Sequence, residues 1–459
     1  MNISPAIFRA YDIRGVVTDT LTPDTVEQIG RSFGSECVER KISEVVVARD
    51  GRLSGPELIG ALARGIQSTG VNVIDIGMVP TPVLYFATFH LGTGTGIMVT
   101  GSHNPPEYNG LKMVINEDAL FGDGITALHT RLVENRLHSA STGSLKQQNV
   151  LDDYLSRILS DVKLARPMRI AYDCGNGVAG TAAPKLFDGL GCTSTSLFTE
   201  VDGSFPNHHP DPAKLENLED LIRVVKDEKH EIGLAFDGDG DRVGVVDDEG
   251  NVIWPDRQMV LFSRDVLERN PGGRIIYDVK CSKVLPEAIE AAGGTPDMWK
   301  TGHSFIKARI KETNALLGGE MSGHMFFKER WYGFDDALYA AARLLEILSK
   351  TDKKASEIFG EIPNSINTPE LNISFNEDGA QHRFIENFVA NSSFDGATLT
   401  TIDGVRADYA DGWGLVRASN TTPSLVIRFE ADTDSAMERI QDSFRAQMKA
   451  TDSAISIPF

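Results

Sequence analysis

One pattern occurs three times along the chain: an apolar strand ending on an aspartate, then a loop, a helix and a second strand. Residues 44–48 run into Arg49-Asp50-Gly51, with a helical period over 56–69 and a strand at 71–76. Residues 168–172 end at Asp173, followed by a Gly-Asn-Gly turn, a helix and a strand at 193–198. Residues 274–277 end at Asp278, with a helix over 282–292 and a strand near 295–299. Strand, helix and strand in this order make a βαβ layer. Each unit then closes on a strand that feeds a glycine-bearing loop, at Ser102, at Asp237–Arg242 and at 318–324. Sheets of this kind place ligands at the carboxyl ends of their strands. A chain of 459 residues is too long for one core. After Ile362-Pro363 the order changes to a strand at 371–375, a helix at 379–391, strands at 397–402 and 425–429 and a helix at 433–448, which suggests a small α+β domain. The bounds expected are 1–150, 151–254, 255–364 and 365–459.

Charge and composition remove several classes of function. Apolar content of 41% and charged content of 24% are those of an ordinary globular protein. A net charge of −20 with no basic run argues against nucleic acid and anionic membranes as partners. An anionic substrate would therefore have to meet cations gathered locally. The N-terminus, Met1 to Pro5, has no signal-peptide character, and no apolar run reaches membrane-spanning length. Cys37, Cys174, Cys192 and Cys281 are scattered, as reduced thiols of a cytoplasmic protein would be. Gly92-Thr93-Gly94-Thr95-Gly96 precedes a strand rather than opening a helix, so it is a turn and not a dinucleotide fingerprint.

Four loops carry chemistry. Thr100-Gly101-Ser102-His103-Asn104-Pro105-Pro106 follows the apolar run Ile97-Met98-Val99, and its prolines, with Gly101 and Gly110, keep it out of helix. Ser102 is thereby presented beside His103 and close to Lys112, which suits a nucleophile that carries a group and returns it. In Asp237-Gly238-Asp239-Gly240-Asp241-Arg242, three carboxylates alternate with glycine after a buried strand and converge on a hard cation, Mg²⁺. An EF-hand is excluded, because its required glycine would fall at Arg242 and a strand precedes the loop. A phosphate on Ser102 would complete the shell, and Arg242 would hold it. Glu320, Ser322 and His324 alternate as on one face of an extended segment; sugar hydroxyls or a polar edge strand would each explain them. Arg417, Ser419, Asn420 and Thr421 offer a bidentate cation and small donors to a phosphate dianion, or form a structural loop.

Together these four loops, in this order, resemble the α-D-phosphohexomutase family, most of all its bacterial phosphomannomutase/phosphoglucomutase branch. The similarity extends from Tyr11-Asp12-Ile13-Arg14-Gly15 to Arg428-Phe429-Glu430-Ala431. The resemblance implies three mixed-sheet α/β domains and a C-terminal α+β domain around a central cleft. It implies a phosphoserine at Ser102 and one Mg²⁺ on Asp237, Asp239, Asp241 and that phosphate. Arg14, His103, Lys112 and Arg242 would surround the transferring phosphoryl, with Lys112 and His303 as candidate acid and base. Tyr11, Lys280, Glu320, Ser322, His324, Arg417, Ser419, Asn420 and Thr421 would bind substrate. The implied reaction moves phosphate between the 1- and 6-positions of mannose and glucose phosphates, through a hexose 1,6-bisphosphate that also serves as activator. Met321 fits this branch, whereas phosphoglucosamine mutases tend to carry Gln there. A phosphoglucosamine mutase and a metal-dependent sugar-phosphate phosphatase are the alternatives, with a non-catalytic sugar-phosphate binder behind them. The expected assembly is a monomer or a dimer.

Overall fold

A computed structural model describes residues 3–377 and 379–459, so Met1 and Asn2 of the N-terminal reading lie outside it. The described residues form four sheets, one after another in sequence. In the first three, the same four strands stand in the same order. Glu44–Arg49 lies parallel to Asn72–Met78 on one side and to Gly96–Val99 on the other, and Gly96–Val99 pairs antiparallel with Tyr108–Ile115. Arg169–Asp173 repeats this with Thr193–Leu197, Ile232–Phe236 and Val243–Asp247. Arg274–Asp278 does so with Thr295–Trp299, Leu317–Gly319 and Met325–Phe327. The four strands therefore close each time on an antiparallel pair whose turn is the loop that carries the motif, and the first two sheets go on to Ile13–Val16 and Val252–Ile253.

The central strands read as continuous apolar runs because helices cover both faces. Val45, Val46, Val47 and Ala48 are all fully buried. Helices Pro23–Glu39 and Gly55–Gln67 pack closely on one another, which Gly65 permits: a Cβ there would lie 2.0 Å from the Glu27 carbonyl oxygen. The helix expected at 282–292 is Val284–Ala291, started by the Ser282 hydroxyl accepting from the Val284 amide. The Gly92–Gly96 stretch is the turn expected, between helix Thr81–His90 and strand Gly96–Val99.

The fourth sheet is antiparallel throughout, in the order Ile366–Asn367, Ser424–Ala431, Gly412–Ala418, Val405–Tyr409 and Thr398–Thr400, with Leu371–Ser374 also paired to Ser424–Ala431. Helices Ala380–Asn391 and Asp434–Thr451 complete an α+β domain. The hairpin of Val405–Tyr409 and Gly412–Ala418 is absent from the sequence reading, although its second strand delivers Arg417. One apolar core runs without a break through the second and third sheets to one face of the first, joining Met98, Phe236, Ile275 and Leu338. The fourth domain has a separate core around Phe388, Ile427 and Phe444. Among the described residues, no helix is long and apolar enough to cross a membrane.

Candidate active site

The first loop is shaped by residues far from it in sequence. Asp50, at the end of its strand, accepts hydrogen bonds from the Thr100 hydroxyl at 2.8 Å and the Gly101 amide at 3.1 Å. Arg52 is fully buried and donates to the carbonyls of Ser102 (2.8 Å), Asn104 (2.6 Å), Pro105 (2.6 Å) and Tyr108 (2.9 Å). A Cβ on Gly101 would sit 2.3 Å from that guanidinium, so the loop closes only over glycine. Held this way, Ser102 takes a positive φ of 48°, a backbone conformation that costs a non-glycine residue energy and persists where its surroundings enforce it. Its Oγ lies 3.2 Å from Asp237 Oδ2 and 3.2 Å from His103 Nδ1. Arg14 donates to the Gly101 carbonyl at 3.0 Å and also holds Asn104 and Asp12. Burial, and then Arg242 and Arg14, keep the His103 pKa well below the usual histidine range.

The second loop brings Asp237, Asp239 and Asp241 together, fully buried, with one oxygen of each within 4.8 Å of the others. Asp237 Oδ1 accepts the amides of Gly240, Asp241 and Arg242, and its Oδ2 accepts Arg242 Nε at 3.0 Å. Lys112 Nζ donates to Asp239 Oδ2 at 2.7 Å and to Asp241 Oδ2, while the Thr81 hydroxyl donates to Asp239 Oδ2 at 2.6 Å. Burial and the Asp241 charge push Asp237 up to about 7. Burial opposes the charge on Lys112, but Asp239 and Asp241 outweigh it and hold the ammonium protonated. Among the described residues, Asp239 Oδ1 has no hydrogen-bond partner although it is buried, and Asp241 Oδ1 has only the His324 ring at 3.3 Å. Buried carboxylate oxygens without donors, aimed at one point, fit a cation with oxygen ligands.

The third loop departs from the extended segment expected. Residues 320–324 are a tight turn: the Glu320 amide donates to the His324 carbonyl at 3.0 Å, and the Gly323 amide to the Glu320 carbonyl at 3.0 Å. The side chains still converge, because the turn folds residue 324 back over residue 320. His324 Nδ1 is 3.0 Å from Glu320 Oε2 and 2.9 Å from Ser322 Oγ, and its Nε2 reaches toward Asp241. Burial alone would lower its pKa; Asp241 and Glu320 overcome that and raise it to about 9. Glu320 also accepts the Gly302 amide, which ties this turn to the segment carrying His303. Asp278 Oδ2 accepts the Met321 amide at 3.3 Å, the counterpart of Asp50 under the first loop.

The fourth loop meets the others through residues 301–303 and Tyr11. Arg417 donates to Asp403 at 2.9 Å, and Asp403 accepts the Thr301 amide at 3.0 Å. The Tyr11 hydroxyl donates to the Thr301 carbonyl at 2.8 Å and accepts from Asn420. Ser419 Oγ accepts the amides of Thr421 and Thr422 at 3.3 and 3.2 Å, a serine turn that fixes the shape of the loop. Lys280 stands apart from the carboxylate group, its Nζ 3.2 Å from Glu370 of the fourth domain.

Ser102, His103, Arg14, Lys112, Arg242 and the three aspartates thus form one connected group, joined through His324 and Glu320 to Gly302 and His303. Arg417, Ser419, Asn420, Thr421, Tyr11 and Lys280 lie toward the fourth domain. Sequence reading misses Arg52, Asp12, Thr81, Asp335 and Asp403. It also misses His209, whose Nε2 pairs with the His103 carbonyl, and His208, bonded to Asp173 at 3.0 Å. Asp50 and Asp173 are visible as strand ends without their partners. The adjacent pair His208-His209 between prolines is the one signal that was available. Cys281 is fully buried, and burial raises its thiol pKa well above normal, so it is inert.

Four family models match in succession. They are described as phosphoglucomutase/phosphomannomutase alpha/beta/alpha domains I, II and III, at residues 5–137, 152–250 and 254–366, and the C-terminal domain, at 370–447. A Pseudomonas aeruginosa phosphomannomutase/phosphoglucomutase is 55% identical over 454 residues, covering 99% of this chain and 98% of that one. A Neisseria gonorrhoeae phosphoglucomutase is 53% identical over 451 residues, covering 98% of both. A crystal structure of a phosphoglucomutase/phosphomannomutase family protein from Burkholderia thailandensis superposes with a TM-score of 0.95 at 53% identity, over 100% of both chains.

Proposed function

The chain belongs to the phosphoglucomutase/phosphomannomutase family, and from that membership we propose a reversible mutase that moves a phosphoryl group between the 1- and 6-positions of glucose and mannose phosphates. The observation that carries this reading is the Ser102 hydroxyl 3.2 Å from a buried carboxylate of the aspartate group, on a loop shared with basic side chains. Ser102 gives its phosphoryl to the free hydroxyl of a hexose phosphate, the resulting hexose 1,6-bisphosphate turns end for end, and its other phosphate returns to Ser102. Arg14, His103, Lys112 and Arg242 orient the phosphoryl in flight, and Lys112 and His303 move the hydroxyl protons. Asp237, Asp239 and Asp241, with an oxygen on Ser102, would hold one Mg²⁺, whose bound charge offsets that of the phosphoryl oxygens. Glu320, Ser322 and His324 bind sugar hydroxyls. Arg417, Ser419, Asn420 and Thr421, with Tyr11 and Lys280, hold the phosphate that is not reacting. Glucose and mannose differ at the 2-hydroxyl, so a turn that grips the 3- and 4-hydroxyls accepts both. The relatives' names divide on this point, since one specifies glucose alone. Domain bounds at 150, 254 and 364, a cytoplasmic setting and a monomeric or dimeric state complete the proposal.

A coupled assay with glucose 1-phosphate and mannose 1-phosphate, with Mg²⁺ and a trace of bisphosphate, tests it. The expected outcome is hexose 6-phosphate from both sugars, lost by a factor of at least about 10³ in Ser102→Ala. Release of inorganic phosphate without isomerisation would make the protein a phosphatase instead.

A further inference from the structure

A neutral imidazole exists in two forms that differ in which ring nitrogen carries the hydrogen, and only one of them serves a given proton transfer. His303 opens the helix His303–Thr313, and burial, then Lys307 and Lys112, keep its pKa well below the usual histidine range. Its Nδ1 faces Asp335 Oδ2 at 3.8 Å. Asp335 is fully buried, and among the described residues that oxygen has no hydrogen-bond partner, a costly state for a carboxylate. The other oxygen accepts Lys307 Nζ at 2.8 Å. Lys307 is fixed in turn by the Tyr85 hydroxyl at 3.1 Å and by the Tyr85 ring, 4.2 Å beneath it. His303 and Lys307 are four residues apart, so the helix presents both to the same carboxylate. The remaining polar neighbour of Nδ1 is the Ser304 hydroxyl at 3.5 Å.

We propose that Asp335, anchored by Lys307, is a positioning residue that holds His303 with its hydrogen on Nδ1 and leaves the Nε2 lone pair for the hydroxyl of the sugar. The separation of 3.8 Å is longer than a hydrogen bond, and contacts of this kind tighten when substrate closes a site. The inference rests on the mutase reading, but its structural half stands apart from it. Asp335 also has an oxygen within 4.8 Å of ligand atoms of Asp241 and His324, so a part in holding a metal is the rival role that the test must separate.

Nitrogen NMR on the intact, histidine-labelled wild-type protein reads the ring directly, with the His303 signal identified by its loss in His303→Ala. Hydrogen on Nδ1 is expected, and hydrogen on Nε2 would overturn the proposal. In Asp335→Asn the amide donates to Nδ1, so the ring should turn to the Nε2–H form and kcat should fall about tenfold or more, with KM and the Mg²⁺ requirement unchanged. That loss should vanish in a His303→Ala background. An equal loss in both backgrounds, or a shifted Mg²⁺ requirement, would assign Asp335 to the metal and overturn the positioning role. Should Asp335→Asn not fold, Lys307→Gln loosens the same carboxylate and should give a smaller fall in kcat of the same kind; no fall would count against the proposal. A wild-type protein without mutase activity would defeat the functional reading, while the NMR result would still decide the ring.

Discussion

At the scale of the residue, the first loop depends on one guanidinium. Arg52 binds four carbonyls of that loop, of which Pro105 also accepts the Tyr108 amide. A lysine offers fewer donors on a point charge and leaves carbonyls buried without partners. Arg52→Lys should therefore cost about 2 kcal/mol in a denaturant titration and lower kcat more than it raises KM, because Ser102 loses the grip on its carbonyl. His208 makes a pH-dependent contribution. Burial lowers its pKa, but the hydrogen bond and charge of Asp173 outweigh this and raise it. The protonated ring is thus favoured in the folded state, so its stabilisation is fully present below the ordinary histidine pKa and is lost as pH rises through the raised one. His208→Gln should destabilise the protein more at pH 6 than at pH 9, measured by denaturant midpoint. Ser102, Asp237, Asp239 and Asp241 are legible in sequence because neighbours along the chain carry the signal. Arg52 is not, because the carbonyls it binds lie 50 to 56 residues away.

Elements set where those residues point. The threefold βαβ pattern is legible because each central strand is a largely apolar run leading to Asp50, Asp173 or Asp278, whereas the order of strands in the sheet is not, because pairing partners leave no mark along the chain. The third loop is misread because alternation of Glu320, Ser322 and His324 has the period of a strand. The deciding residue is Gly323, whose φ of +100° lets the chain reverse. A Cβ there would also stand 3.2 Å from the Val243 carbonyl. Gly323→Ala should destabilise the protein by about 1 kcal/mol or more. Because it moves His324 and Glu320 together, KM for glucose 1-phosphate should rise. Both effects are read by a melting curve and steady-state kinetics on one preparation. The Val405–Tyr409 and Gly412–Ala418 hairpin is missed although Asp411-Gly412 stands at its turn, an Asp-Gly pair of the kind that marks a tight hairpin.

For the whole molecule, the separation of cores fixes what can move. Three domains share apolar packing, while the fourth rests on the third through polar contacts around one small apolar cluster. There Arg406 donates to the carbonyls of Val279 and Cys281 at 2.7 and 2.8 Å and stacks 3.9 Å over Trp413. Trp413 packs with Val279 and Leu415, fully buried, and its indole N–H has no partner among the described residues. On the proposed mechanism, a bisphosphate turning end for end would need that contact to open and close once per cycle, by a motion of the fourth domain about the 363–369 connection. When it opens, the indole loses the packing of Val279 and gains water, while Arg406 on the neighbouring strand moves with it, so its emission moves to longer wavelength. Substrate that holds the fourth domain down should reverse the shift, and Trp413→Phe should abolish it. The chain therefore carries its own optical gauge, and a stopped-flow trace could clock each turn of the intermediate without any added dye.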